Sequence, residues 1–226
     1  MPNAKMTLAR LVVSACVGLV AGCGSGEALD LSHANIANVA DIKSSFDPPF
    51  TVSTVGPAAI DPRLLGPQTL PPGLIFDPAD CGASASHQTL PPGVKGNMAA
   101  TTAEGEGVRY IVIAVETSEP VPVETLAEQC RTVTFNGPGV RGLVEAVEAP
   151  RIDGAHTVGT HRVLQTTADG AARTGELYNY VANFGNFIVI VTANPLVLPD
   201  APVVSVDTQR ARELVTRAVN AVKGGG

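Results

Sequence analysis

Residues 175–192 read GELYNYVANFGNFIVIVT. The Gly185-Asn186 pair is typical of a two-residue hairpin turn, so the runs on either side of it are predicted to be antiparallel strands. In residues 175–184, aromatic and small side chains alternate with polar ones, which indicates a strand with one buried face. In residues 187–192 both alternate faces are apolar, which predicts a central strand of the sheet that is covered on both sides.

The rest of the chain predicts more strands than helices. Further strands are expected at 50–55, 97–102, 108–116, 140–149 and 158–167. Helices are expected after an N-cap at Ser32, over 122–130, and after an N-cap at Asp207. Because short turns such as Gly105-Glu106-Gly107 join the strands, we predict an α+β fold. Its mainly antiparallel sheet would pack against N-terminal, middle and C-terminal helices.

The first 22 residues have the composition of an export signal. They carry Lys5 and Arg10 and no acid, and their apolar run of about a dozen residues is too short to span a membrane. The run ends in Val20-Ala21-Gly22-Cys23, which resembles the bacterial lipobox, in which the cysteine is lipidated. The alternative is an ordinary signal peptide with a chance cysteine at its end.

These features predict three regions. Residues 1–22 would be a lipoprotein signal peptide, residues 23–30 the lipidated Cys23 and a flexible tether, and residues 31–223 a single extracytoplasmic domain. The predicted location is the outer face of the cell membrane, and the membrane is a partner through the lipid anchor.

The charge of the chain argues against a nucleic-acid partner. The full sequence has a formal net charge of −6, and loss of two of the 15 basic residues with the signal leaves a mature chain at −8. Proteins that bind nucleic acid through phosphate contacts need clustered lysine and arginine, which this chain lacks.

Two cysteines, Cys81 and Cys130, remain once the signal and the lipidated residue are set aside. Thiols of exported proteins tend to oxidise, so a disulfide between them is predicted, with a metal site or two free thiols as the alternatives. Cys130 falls on the apolar side of the predicted middle helix. The bond would therefore fasten the Pro/Gly-rich stretch of residues 56–96 to the sheet.

The sequence contains no motif for a catalytic, metal or cofactor site. It has no nucleophile elbow, P-loop, dinucleotide fingerprint or zinc-protease motif. His156 and His161 lie five residues apart, which places them on opposite faces of a strand. Asp77 and Asp80 beside Cys81 are typical of a turn and an N-cap, and a calcium site there is the less favoured alternative. We predict no catalytic residue, metal ligand or cofactor.

Three of the nine aromatic residues, Tyr178, Tyr180 and Phe184, share one face of the strand predicted at 175–184. The simplest interpretation is that this face packs under a helix. A tyrosine also combines an apolar ring with a hydroxyl that needs a partner. If the disulfide held the stretch of residues 56–96 across the sheet, the two would enclose a ligand-binding groove for a lipid-like molecule.

Several of these features together resemble a known family. The lipobox, the Asp77-Pro78-Ala79-Asp80-Cys81 turn, the cysteine at Cys130 and the closing Val-rich hairpin and helix resemble mycobacterial envelope lipoproteins of unknown function. These are similar to the extracellular sensor domain of PknH-type serine/threonine kinases. The resemblance covers most of residues 31–223 and implies the fold and an envelope location, without a catalytic residue.

The leading hypothesis for function is a non-enzymatic, lipid-anchored envelope protein that binds a lipid-like ligand or a protein partner outside the membrane. The alternative is an envelope hydrolase acting on lipid or cell-wall polymer. A structural partner of an envelope complex is a third class that sequence does not separate from the first. A Ser-His-Asp cluster in one cleft would favour the hydrolase, and a cavity without such a cluster would favour binding.

Overall fold

A computed structural model describes residues 29–61, 70–86, 90, 93–123, 126–168, 171–197 and 202–224. Nine strands in these segments form one antiparallel sheet with the order β1-β3-β4-β9-β8-β7-β6-β5-β2. The strands are β1 (Thr51–Ala59), β2 (Ile75–Asp77), β3 (Gly96–Gly105), β4 (Val108–Thr117), β5 (Thr132–Gly137), β6 (Val140–Val147), β7 (His156–Ala168), β8 (Ala171–Phe184) and β9 (Phe187–Pro195). The predicted α+β class is confirmed.

The two apolar strands pair with each other inside the sheet. In both β4 and β9 most residues are buried on both faces, as their sequences predict. The turn between β3 and β4 consists of Glu106 and Gly107, whose φ angles of 52° and 75° are those of a hairpin turn with two left-handed residues. The predicted hairpin at this turn is therefore confirmed.

The helices differ from prediction at two of three places. The first is a 3₁₀ helix, Ile36–Ser45, and its N-cap is Asn35, whose Oδ1 accepts a hydrogen bond from the Ala37 N–H at 2.9 Å. Ser32 is therefore not the cap. The C-terminal helix, Thr208–Lys223, follows the Asp207 cap as predicted.

The middle helix predicted over 122–130 is reduced to one 3₁₀ turn, Glu128–Cys130. Residues 120–123 and 126–127 are not helical, and Val123 is 40% exposed. The apolar residues at helical spacing do not form one buried helix face, because Leu126 and Cys130 pack in the cluster around the disulfide while Val123 stays exposed.

The helices and the remaining segments cover opposite faces of the sheet. The C-terminal helix and the 3₁₀ helix pack on one face, where Val112, Val189 and Tyr180 join the main core. Short helical turns, Ala79–Cys81 and Gly82–Ala85, pack on the other face at the far end of the sheet, against β5 and β6. The sheet is thus the middle layer of a three-layer arrangement.

The edge strand β1 is exposed along almost its whole length and contains no charged residue. Its pairing with β3 is interrupted between Val55 and Ala58, where Gly56 and Pro57 shift the register. The opposite edge is β2, which has only three residues. No helix in the described segments is long and apolar enough to cross a membrane.

A disulfide joins Cys81 to Cys130, as predicted, with the two Cα atoms 5.3 Å apart. Both cysteines are buried and pack with Val133, Phe135 and Val144. The bond therefore holds the short helical turns at 79–85 against β5 and β6.

Removal of this bond should lower stability. We expect Cys81→Ser to reduce the free energy of unfolding by about 2–5 kcal/mol, the usual cost of losing a native disulfide. Urea denaturation of the oxidised protein measures the change. Cys130→Ser should give the same loss, and the double variant should add little, because each removes the same bond. A Cys81→Ser protein as stable as the wild type would contradict the prediction.

Candidate functional site

In the part of the chain that the structure describes, no helix packs over one part of the helix-side face of the sheet. The C-terminal helix packs on β4, β9 and β8, and the same face continues beyond it across β7, β6 and β5. We call the side chains there the open face. Its cross-strand rows are Asn136–Arg141–Gln165–Thr174, Thr134–Leu143–Val163–Glu176 and Thr132–Glu145–His161–Tyr178.

A histidine on the open face is held between two carboxylates. His161 Nδ1 lies 2.7 Å from Glu145 Oε1, and Nε2 lies 2.8 Å from Glu176 Oε1. The imidazole stacks on the Tyr178 ring with the centroids 4.2 Å apart and the planes at 10°. The histidine side chain is 13% exposed. These four residues, the His161 clamp, join β6, β7 and β8.

Both ring nitrogens of His161 are engaged by carboxylate oxygens. Glu145 and Glu176 each keep a second oxygen that His161 does not use. Glu176 also accepts a hydrogen bond from Tyr178. The clamp thus holds the imidazole ring in one orientation between β6 and β8.

Burial raises the pKa of Tyr178 to about 12, with further contributions from its hydrogen bond to Glu176 and from the negative charges of Glu176 and Glu145. Burial also raises the pKa of Tyr110 and of Tyr180. All three tyrosines of the chain therefore favour the neutral phenol.

A depression of about 410 Å³ lies beside the clamp on the open face. Arg141 is the charged residue that lines it, and its Nε donates to Gln165 Oε1 at 2.6 Å. The lining residues are Thr134, Phe135, Asn136, Arg141, Gly142, Val163, Gln165 and Thr174. We call this depression the Arg141 cavity. Its polar groups are mainly amide, hydroxyl and guanidinium groups, and none of the described residues that line it is a carboxylate.

A second depression, of about 400 Å³, lies between the 3₁₀ helix and the C-terminal helix. It combines Asp41 with Arg217, and Arg217 Nη1 donates to Ser45 Oγ at 3.2 Å. Its mixed charges and its position among the helices separate it from the open face.

Comparison with known proteins identifies the family. Residues 35–223 match a domain of unknown function, DUF5642. The chain belongs to this family. An X-ray structure of an uncharacterised Mycobacterium smegmatis protein, the Rv0999 ortholog, is 62% identical with a TM-score of 0.79, covering 84% of this chain and 97% of that one.

A second solved structure, the extracellular domain of PknH from Mycobacterium tuberculosis, matches with a TM-score of 0.39 and 13% identity, over 88% of this chain and 98% of that one. No curated protein matches the chain. The predicted resemblance of this DUF5642 chain to mycobacterial proteins of unknown function is confirmed.

The three aromatic residues predicted to bind a ligand do not share one environment in the DUF5642 fold. Tyr180 is 1% exposed and Phe184 3% exposed, and both belong to the core under the C-terminal helix. The interpretation that this face packs under a helix holds for these two. Tyr178 is half-buried and belongs to the His161 clamp.

The described residues do not form the groove predicted between these aromatics and the disulfide-bonded stretch. Cys81 and Cys130 pack against Val133 and Val144, whose side chains lie on the face opposite the helices. The Tyr178 side chain lies on the helix side of the sheet, because Tyr178 pairs with His161 and Ala193, whose side chains are on that face. The two proposed walls are therefore separated by the sheet itself.

The remaining site predictions concern Cys23, the two histidines of β7 and metal ligands. Cys23 lies outside the described residues. His156 and His161 are both on β7 and, five residues apart, point to opposite faces. Within the described segments, no three histidine, cysteine or acidic side chains are arranged to hold a metal ion.

The clamp of this DUF5642 domain is not visible in the sequence, because Glu145, His161 and Glu176 lie on three different strands and meet only through strand pairing. A signal was present in the Asp169-Gly170 pair, which is typical of a two-residue hairpin turn. Counting outward from such a turn places His161 opposite Tyr178, as observed. The third strand, which supplies Glu145, has no comparable marker.

We expect the raised pKa of Tyr178 to be visible in a spectrophotometric titration of the phenols. The difference between wild type and Tyr178→Phe should be a single group with a pKa of about 12. Glu176→Gln should lower that pKa, because it removes a negative charge that favours the phenol. The matched control is Glu104→Gln, since Glu104 pairs with Arg109 on other strands. A difference titration near the ordinary tyrosine pKa of about 10 would contradict the assignment.

The same shift predicts a pH dependence of stability. The folded state holds the Tyr178 proton more tightly than the unfolded chain does. Its contribution to stability is complete below the unfolded pKa of about 10 and is lost as the pH rises through about 12. The Tyr178→Phe protein should lose less stability over this interval than the wild type.

Proposed function

We propose that this chain is a non-enzymatic, lipid-anchored domain outside the membrane that binds a polar ligand or a segment of a partner on its open face. The observation that carries the proposal is the open face itself. Among the described residues, no helix packs on the part of the sheet that carries the Arg141 cavity and the His161 clamp. Binding groups held on strands of a rigid scaffold are suited to a specific ligand.

Two features support a location outside the membrane. The first is the N-terminal run that ends in Val20-Ala21-Gly22-Cys23. The second is the disulfide between Cys81 and Cys130, because such bonds persist in oxidising compartments and are rare in the cytosol.

The chemistry of the open face favours binding over catalysis. Strands β5 to β8 contain no serine or cysteine, and both ring nitrogens of His161 are engaged by carboxylates. The histidine therefore has no nitrogen left to activate a nucleophile. No cluster among the described residues favours the alternative of an envelope hydrolase. The guanidinium and amides of the cavity also favour a polar ligand over a lipid-like one.

The tether determines which end of the domain faces the bilayer. The side chains of Leu29 and Leu31 lie against Gly154 and Gly185, so the chain enters at the end of the sheet that carries these two turns. Leu29 is six positions after Cys23, and a chain of that length spans at most about 20 Å. Gln165 is nine residues along β7 from His156, about 30 Å toward the other end. The Arg141 cavity is thus proposed to face away from the membrane.

The anchor is tested by Cys23→Ala. We expect this variant to lose its acyl chain and to move from the detergent phase to the aqueous phase in a Triton X-114 partition. Cys81→Ser provides the control, because it removes a cysteine without removing the anchor. If Cys23→Ala partitions with the detergent as the wild type does, the anchor is not at this residue.

The orientation is tested with single tryptophans, since the natural chain has none. In acylated protein on vesicles that contain brominated lipid, Asp153→Trp beside the Gly154 turn should be quenched. Ala172→Trp, at the opposite end of the sheet, should not be quenched and serves as the control. Equal quenching at both positions, or stronger quenching at Ala172→Trp, would contradict the proposed orientation.

A further inference from the structure

The open face separates its charges along the strand direction. The positive group is Arg141 in the first row, Glu176 lies in the second row, and Glu145 lies in the third. Arg141 and Glu145 are four residues apart on β6, which corresponds to about 13 Å along a strand. The row between them contains the half-buried side chains of Leu143 and Val163, and it ends in Glu176 on β8 and in Asp77 on β2. The face is therefore positive at the Arg141 end, with an apolar centre and carboxylates toward the other end.

The positive end is built from hydrogen-bond donors. Gln165 Oε1 accepts the Nε–H of Arg141, which leaves the two terminal nitrogens of the guanidinium and the amide N–H₂ of Gln165 able to donate. Asn136 adds a second amide in the same row. A planar guanidinium with adjacent N–H donors and no nearby lining carboxylate matches a carboxylate ligand, which it can bind through two parallel hydrogen bonds.

The negative end has unused acceptors. Glu145 uses Oε1 for the histidine, so its second oxygen is available to an ammonium group, whereas Glu176 also accepts a hydrogen bond from Tyr178. The Glu145 side chain is 42% exposed, which makes it accessible to a ligand. A carboxylate with an unused oxygen favours a cation at this end.

We propose that the open face binds a short peptide with free termini, its carboxylate at Arg141 and its ammonium group at Glu145. An extended peptide of four residues spans about 13 Å, which matches the distance along β6 between the backbone positions of these two residues. Small apolar side chains of such a peptide would lie over Leu143 and Val163. This inference rests on the proposed function, because it names the ligand class of the same face.

The test uses tetra-alanine with free termini and the detergent-solubilised, full-length mature protein in isothermal titration calorimetry. Tetra-alanine should bind, and Arg141→Gln should weaken the binding roughly tenfold or more, because a charge-assisted pair is lost. Arg173→Gln is the matched control. Arg173 is exposed and adjacent to Thr174 on β8, but the alternation of the strand turns it to the other face.

Changes to the peptide test each end without altering the protein. The C-terminal amide and the N-acetyl form should each bind roughly tenfold more weakly than tetra-alanine, and di-alanine is too short to reach both ends. Equal binding of the capped and free peptides would overturn the inference, as would equal losses from Arg141→Gln and Arg173→Gln.

Binding of inorganic phosphate distinguishes an error in the peptide ligand class from an error in the open face as a binding site. If phosphate binds in an Arg141-dependent way and tetra-alanine does not, the peptide class is wrong while the open face remains a binding site. If neither binds, the inference is wrong. The anchoring and orientation experiments use no peptide, so their failure would count against the proposed function alone.

Discussion

The pairing of β4 with β9 is the constraint on which the rest of the structure depends. Both strands are apolar on both faces through their central residues, so neither face of the sheet can meet water there. Other segments must therefore cover both faces of the sheet. The 3₁₀ helix and the C-terminal helix cover one face, and on the opposite face buried Leu90 packs with Met98 and Ile113. The helices end their contact with the sheet where polar side chains alternate with apolar ones in the strands, and the open face begins there.

Local patterns in the sequence account for much of this fold. Alternation and turn pairs predict the strands, and Asp207 with the terminal glycines predicts the last helix, because each signal acts over a few residues. The predicted middle helix is wrong because Val123, Leu126 and Cys130 have helical spacing without sharing one buried face: Leu126 and Cys130 pack around the disulfide, whereas Val123 is exposed. A short apolar repeat at helical spacing therefore does not by itself establish a helix.

The site was less accessible to sequence reasoning than the fold. The His161 clamp exists only because three strands are in register, and a shift of one residue would turn every one of its side chains to the other face. The aromatic residues of β8 show that residues on one face of a strand can have different environments. The side chains of Tyr178 and Tyr180 lie on the same face, but the C-terminal helix covers Tyr180, whereas Tyr178 stacks on His161 in the clamp. Which residues of one face are covered depends on where a helix ends across the sheet, and no local pattern contains that information.

If the domain is anchored to a membrane as proposed, the exposed edge strand β1 has a further consequence. Molecules confined to a plane meet repeatedly with similar orientations, and a nine-residue edge without charges offers a template for intermolecular strand pairing. The register shift at Gly56 and Pro57 divides that template, because proline has no N–H to donate and the shift bends the strand away from a straight partner. With β2 only three residues long, neither edge supports a continuous sheet between neighbours. The irregular geometry of β1 therefore acts against polymerisation at high surface density.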